Sequence, residues 1–121
     1  MNKISNNNKN QIATLVAKIL NLVNTNNYVI IPREKNKKFI QEYNLNMGCI
    51  KGILKKINID NYVSEEFDFD LKKYGSGNVV IFNVSCDLVN RFGEDKNVLV
   101  YIKFKMRDCK TVVISIHESE W

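Results

Sequence analysis

The sequence predicts an α+β protein in which N-terminal helices pack on a small antiparallel sheet made mainly by the C-terminal half. Two patterns carry that prediction. In the first half, apolar residues recur at helical spacing. In the last quarter, apolar and polar residues alternate at the spacing of a half-buried strand. The chain of 121 residues is the length of a single domain, 1–121, with a flexible polar N-terminus expected over 1–8. Hydrophobic residues make up 45% of it, so it can fill a core without a disulfide framework or a structural metal.

The first helix is expected from Lys9 to Val23. Ile12, Leu15, Val16, Ile19, Leu20 and Val23 form one apolar stripe opposite Gln11, Thr14, Lys18 and Asn21. That polar face holds too little positive charge for a membrane-surface helix, and Lys18 in the middle of the apolar stretch of sequence makes it a poor secretory signal. Asn24–Asn27 is a polar break. Tyr28–Ile31 is a short extended segment ended by Pro32, and 34–43 reads as a second helix with Phe39, Ile40 and Tyr43 inward. A third helix is expected from Met47 to Ile57, with Ile50, Ile53, Leu54 and Ile57 toward the core and Lys51, Lys55 and Lys56 outside. Tyr62 then marks the joint between helices and sheet. Ser64–Asp70 alternates acids with Phe67 and Phe69, an extended segment with its aromatic rings inward, and Lys72–Asn78 is a loop.

Val79–Cys86 reads as a strand and Asp87–Asn97 as a polar connection with a turn at Gly93. Val98–Met106 is the clearest strand. One face holds Val98, Val100, Ile102, Phe104 and Met106; the other holds Leu99, Tyr101, Lys103 and Lys105. Val112–His117 closes the sheet after a turn over Arg107–Thr111. Matching apolar face to apolar face sets Lys105 opposite Val113, Lys103 opposite Ser115 and Tyr101 opposite His117. One face of that hairpin therefore gathers Tyr101, Lys103, Lys105, Ser115 and His117, with cross-strand Cβ atoms about 5 Å apart.

Charge and composition narrow the chemistry. Residues 1–60 carry ten Lys/Arg against three acids, and 61–121 carry eight against ten. A basic first half suits an acidic partner such as nucleic acid. Three cysteines and one histidine exclude by number the zinc sites built from four cysteines or from two cysteines and two histidines, and the expectation is a reduced, cytoplasmic protein without metal or cofactor. No apolar run approaches the ~20 residues of a membrane span. Gly75-Ser76-Gly77 does not open a helix after a strand, so it is no phosphate loop. No pattern brings Cys86 or Cys109 to His117 for a Cys–His nucleophile.

The hairpin face does suit phosphodiester chemistry. RNA carries its own nucleophile, the 2′-hydroxyl. A protein must then accept that proton, neutralise charge on the phosphate, and protonate the leaving 5′-oxygen. Histidine as a residue type suits proton transfer, lysine supplies positive charge to the transition state, and tyrosine donates to phosphate or stacks on a base. His117, Lys103 and Tyr101 are the candidates for those roles. Lys105, Ser115, Lys51, Lys55, Lys56 and Arg33 are the candidates for substrate contacts at the edge. The alternative is a non-catalytic RNA- or protein-binding module; a small-molecule enzyme lacks any pocket motif.

Several segments in order resemble the MqsR-type toxins. Asn36–Tyr43, then Gly48–Ile57 and Asn58-Ile59-Asp60-Asn61-Tyr62, is similar to their basic opening, helix and aspartate–aromatic joint. Val100-Tyr101-Ile102-Lys103 is similar to their V-Y-(I/L)-K strand, and Val113-Ile114-Ser115-Ile116-His117 to their closing strand. Ser64-Glu65-Glu66 stands where members carry Gly-Pro, Val80-Ile81-Phe82-Asn83 stands for their Trp-x-Phe-Gly-like strand, and the connection Ser85–Asn97 is longer. The resemblance implies a RelE-like fold. It implies a ribosome-independent mRNA endonuclease held inactive by a cognate antitoxin. Family roles would fall on Tyr101, on Lys103 of the same motif, and on His117 as the basic residue closing the last strand.

Overall fold

The computed structural model describes residues 6–68, 77–107 and 109–120. Its elements run α1 (Asn6–Asn24), β1 (Tyr28–Ile30), α2 (Glu34–Glu42), α3 (Met47–Leu54), a 3₁₀ turn (Ile59–Asn61), β2 (Tyr62–Asp68), β3 (Gly77–Val89), β4 (Asp95–Arg107) and β5 (Lys110–Glu118). The class is α+β, with three helices on a five-stranded sheet of order β1-β5-β4-β3-β2. The sheet is mixed. β2 to β5 form the expected antiparallel meander, and β1 adds to the β5 edge in parallel, Tyr28 against Thr111 and Ile30 against Val113.

The core lies between the helices and one face of the sheet. Ile12, Val16, Ile19 and Val23 of α1 meet Phe39, Ile50, Ile53, Leu54 and Ile57. Beneath them stand the inward residues of β3 (Val80, Phe82, Val84, Cys86) and β4 (Val98, Val100, Ile102, Phe104), with Val113 and Ile116 of β5. The alternation that marks Val98–Met106 in the sequence is therefore the pleat itself. Tyr62 packs edge-on to Phe82 at 6.0 Å, as the joint predicts.

Helix boundaries differ modestly from expectation. Residues 6–8 of the N-terminus expected to be flexible are helical, and 1–5 lie outside the described residues. α3 stops at Leu54, and Ile57 reaches the core from the segment after it. Asn46 caps α3 through its side chain, which accepts from the Cys49 amide.

The larger correction concerns Asp87–Asn97. Most of that connection is strand: β3 and β4 stay paired as far as Val89 opposite Asp95. Its exposed strand positions include Asp87, Asp95, Lys96 and Asn97, which hides a strand behind loop-like composition. The turn proper is Asn90–Glu94. The Asn90 side chain accepts from the Phe92 and Glu94 amides, both at 3.0 Å, and donates to the Glu94 carboxylate. Gly93 takes φ +81°, where a side chain would be strained. Phe69 and the loop through Ser76 lie outside the described residues.

Candidate functional site

The face of the sheet away from the helices carries the predicted residues, and two pairs stand in the predicted register. Tyr101 is opposite His117 and Lys103 is opposite Ser115. The Tyr101 and His117 rings stack with centroids 5.1 Å apart and planes 17° apart. Together with Lys35 and Glu120 they line an open cleft of about 380 Å³. His117 Nδ1 lies 3.0 Å from the Glu118 carbonyl, which fixes the ring against the end of β5.

One residue beyond Lys103 the register shifts. Phe104 pairs with Val113 instead of Ile114, so Ile114 is an extra residue, a β-bulge. Val113 and Ile116 enter the main core, while Ile114 joins Val79, Val112 and Ile31 in a small apolar cluster apart from it. The bulge corrects two expectations. Lys105 pairs with Val112, not Val113, and sits between Val112 and Val79 at 1% exposure. It is part of that packed region, not an accessible substrate contact. Ser115 is likewise buried, and its hydroxyl accepts from Arg33 Nη1 at 3.0 Å. Ser115 therefore places Arg33 on this face rather than meeting a ligand itself.

Asn36 explains why α2 starts here. β1 ends where the chain turns at Pro32, leaving the β5 edge open beyond Val113. The Asn36 amide takes over as a strand would. Its Nδ2 donates to the Ile114 and Ile31 carbonyls, and its Oδ1 accepts from the Ile116 amide, each at 2.9 Å. The residue is 1% exposed. So anchored, the first turn of α2 sets Arg33 and Lys35 along the rim of the Tyr101–His117 cleft. Lys35 Nζ donates to the Glu120 carboxylate.

Lys51, Lys55 and Lys56 are not brought to this cleft. Their helix packs its apolar side on the opposite face of the sheet, so its lysines belong to the helical layer. Lys51 donates to Asn26 Oδ1 at 3.0 Å and so ties α3 to the turn before β1. The cationic side chains placed near this cleft are instead Arg33, held by Ser115, and Lys35, held by Glu120.

Electrostatics separates the groups. Burial, then the Glu66 and Glu120 charges, pushes the Tyr101 phenol above its ordinary value of 10 against the pull of Arg33. It remains a hydrogen-bond donor at neutral pH. The hydrogen bond and charge of Lys35, with a smaller pull from His117, hold the Glu120 carboxyl below its ordinary range. Burial pushes the Cys86 thiol up, and it lies in the core under the other face, which removes it as a partner of His117. Among the described residues, no three His, Cys, Asp or Glu side chains converge as a metal site. No described helix is long and apolar enough to cross a membrane.

Sequence reasoning misses Lys35, Asn36 and Glu120. Lys35 and Asn36 sit in the basic run Arg33–Lys38, which reads as a solvated helix end. Glu120 follows the last alternating residue. Its one usable signal is the polar tail that must fold back somewhere, and here the Ser119 amide donates to the Leu99 carbonyl at 2.7 Å. Comparisons with protein-family models, with curated proteins and with solved structures find no match to the chain.

Proposed function

We propose that the protein is an RNA endonuclease that cleaves without a metal, by attack of the 2′-hydroxyl on the adjacent phosphodiester. The observation that carries this reading is the stacked Tyr101–His117 pair in a cleft that Lys35 and Glu120 also line, with Arg33 held on the same face by Ser115. An imidazole can move a proton, a phenol that keeps its proton can donate to phosphate, and Lys103 on the neighbouring row can neutralise charge in the transition state. Arg33 and Lys35 would hold flanking phosphates. The ordered resemblance of 28–120 to the MqsR-type toxins supports the same reading. By that resemblance the RelE-like protein would be the toxin of a type II pair, acting on mRNA in the cytoplasm and restrained by an antitoxin.

A second reading, a non-catalytic module for a protein partner, is favoured by one feature. A groove of about 710 Å³ runs between β1, α2 and α3, lined by Val29, Ile40, Leu45, Met47 and Ile50 among others. Met47 is 62% exposed there. Lys37 borders the groove and Lys51 the adjoining hollow, so an acidic partner would fit.

The test is cleavage of a mixed-sequence RNA by purified protein in excess EDTA, with and without ribosomes, beside His117→Ala and Tyr101→Phe. Cleavage by the wild type, lost in His117→Ala and leaving 2′,3′-cyclic phosphate, is expected. No cleavage by folded wild type overturns the nuclease reading in favour of the binding module. Equal cleavage by all three proteins removes the cleft from the reaction.

A further inference from the structure

Cleavage through the 2′-hydroxyl needs two proton transfers: one away from O2′ and one onto the leaving O5′. The chain has a single histidine. A second group must therefore serve, and the cleft limits the choice. Lysine ammonium and arginine guanidinium are donors without an acceptor, which suits Arg33, Lys35 and Lys103 to phosphate binding. Tyr101 holds its proton tightly and so cannot take one near neutral pH. Among the described side chains that line the cleft, the one besides His117 that can accept a proton is Glu120.

We propose that Glu120 is the general base and His117 the general acid of this site. The assignment rests on the nuclease reading above. The Glu120 carboxylate takes the proton of the 2′-hydroxyl as the O2′–P bond forms. The P–O5′ bond breaks, and the His117 imidazolium protonates O5′. The products are a 2′,3′-cyclic phosphate and a 5′-hydroxyl. Glu120 then loses its proton to water and His117 regains one.

The surroundings of Glu120 fit the role. The Ser119–Leu99 hydrogen bond pins the tail to β4 and delivers the next residue to the cleft mouth. In the free protein Lys35 holds one oxygen of the carboxylate and keeps the group ionised but weakly basic. A phosphate entering the cleft competes for the Lys35 ammonium. As Lys35 turns to that phosphate, the carboxylate loses its partner and becomes a stronger base when substrate is bound. Among the described residues, two other carboxylates are nearby and neither lines the cleft. Glu118 pairs with Val100 and acts on Tyr43 on the helical side. Glu66 reaches Tyr101 only through its field.

The experiment is single-turnover cleavage of two short RNAs by wild type, Glu120→Gln, His117→Ala, Glu66→Gln and Glu118→Gln. One RNA has an ordinary scissile phosphodiester. In the other, sulfur replaces the bridging 5′-oxygen and leaves without protonation. Glu120→Gln is expected to lose about 10²- to 10³-fold on both RNAs, within the usual range for a proton-transfer group. His117→Ala is expected to lose as much on the ordinary RNA and to recover on the sulfur RNA. Glu118→Gln is expected to match wild type. Near-wild-type cleavage by Glu120→Gln, its rescue by sulfur, or a loss that follows Glu66→Gln instead overturns the assignment while the nuclease stands. An inactive wild type brings down the underlying reading itself.

Discussion

Replacing Asn36 by leucine removes a side chain that stands in for a missing piece of strand, and the cost can be worked from its contacts. The two side chains have nearly the same shape, so no cavity is made. Three hydrogen bonds are lost, each 2.9 Å long. The Ile31 carbonyl keeps a second donor, the Arg33 amide at 2.8 Å. The Ile114 carbonyl and the Ile116 amide lose the Asn36 amide at a position shut off from water. Leaving a buried backbone group unpaired costs about 1–3 kcal/mol, so two cost about 4 kcal/mol. The added apolar surface of leucine returns about 1 kcal/mol. The net loss is about 3 kcal/mol, which at a urea slope of about 1.5 kcal/mol per molar lowers the unfolding midpoint by about 2 M. Equilibrium unfolding in urea, followed by circular dichroism, measures it. A midpoint within about 0.5 M of wild type would show that Asn36 does not complete the sheet edge. Asn36→Asp adds a pH signature. Its second oxygen would face the Ile31 and Ile114 carbonyls, so burial and those dipoles raise its folded pKa. This variant should be least impaired below the unfolded aspartate value of about 3.9 and lose stability as pH rises above it.

Three further outcomes follow from the site and its frame. Lys103→Met should keep the fold, lose RNA cleavage by about 10²-fold, and reduce the salt dependence of RNA binding by about one phosphate contact; full cleavage would remove Lys103 from the reaction. Tyr101 should ionise above pH 10, so the phenolate absorbance titration of Tyr101→Phe should lack one late-titrating tyrosine. Because the folded state favours the protonated phenol, that group lowers stability only as pH rises past its unfolded value of 10. Gly93→Ala should cost about 1 kcal/mol by thermal unfolding, purely from backbone strain, since an added Cβ at that φ of +81° meets nothing within 4 Å. A neutral effect would mean the Asn90–Glu94 turn adopts another conformation in solution.

The sequence made the Tyr101–His117 register legible because β4 alternates without a break and so fixes which face is buried. The bulge was illegible for the opposite reason. Val112-Val113-Ile114 is an unbroken apolar run, and a run without alternation has no phase to show where a residue is inserted. Lys105 was misread as accessible on that account. The continuation of β3 past Cys86 was hidden because Ser85, Asp87 and Asn97 face water, where a strand and a loop have the same composition. Asn36 could not be seen at all. Among Lys35, Lys37 and Lys38 an asparagine looks solvated, and only the end of β1 at Pro32 creates the backbone groups it satisfies.

Stability and the candidate site meet at residues 114–116 of β5. Asn36 holds the backbone on both sides of Ser115, and the Ser115 hydroxyl holds Arg33 between those two bonds. The start of α2 is therefore fixed to the sheet by the same three residues that carry the bulge. Tyr101 and His117 are placed differently, by strand pairing and by their own stacking. Loosening the α2 start should therefore separate binding from chemistry. In Asn36→Leu, at a temperature where the variant is fully folded, Arg33 and Lys35 lose their fixed positions while the stacked pair remains. RNA binding should weaken and its salt dependence fall, because phosphate contacts carry that dependence. Cleavage at saturating RNA should change far less. An equal loss at saturating and at low RNA would show that the α2 start also orders the reacting groups, and would place Lys35 nearer the chemistry than the rim.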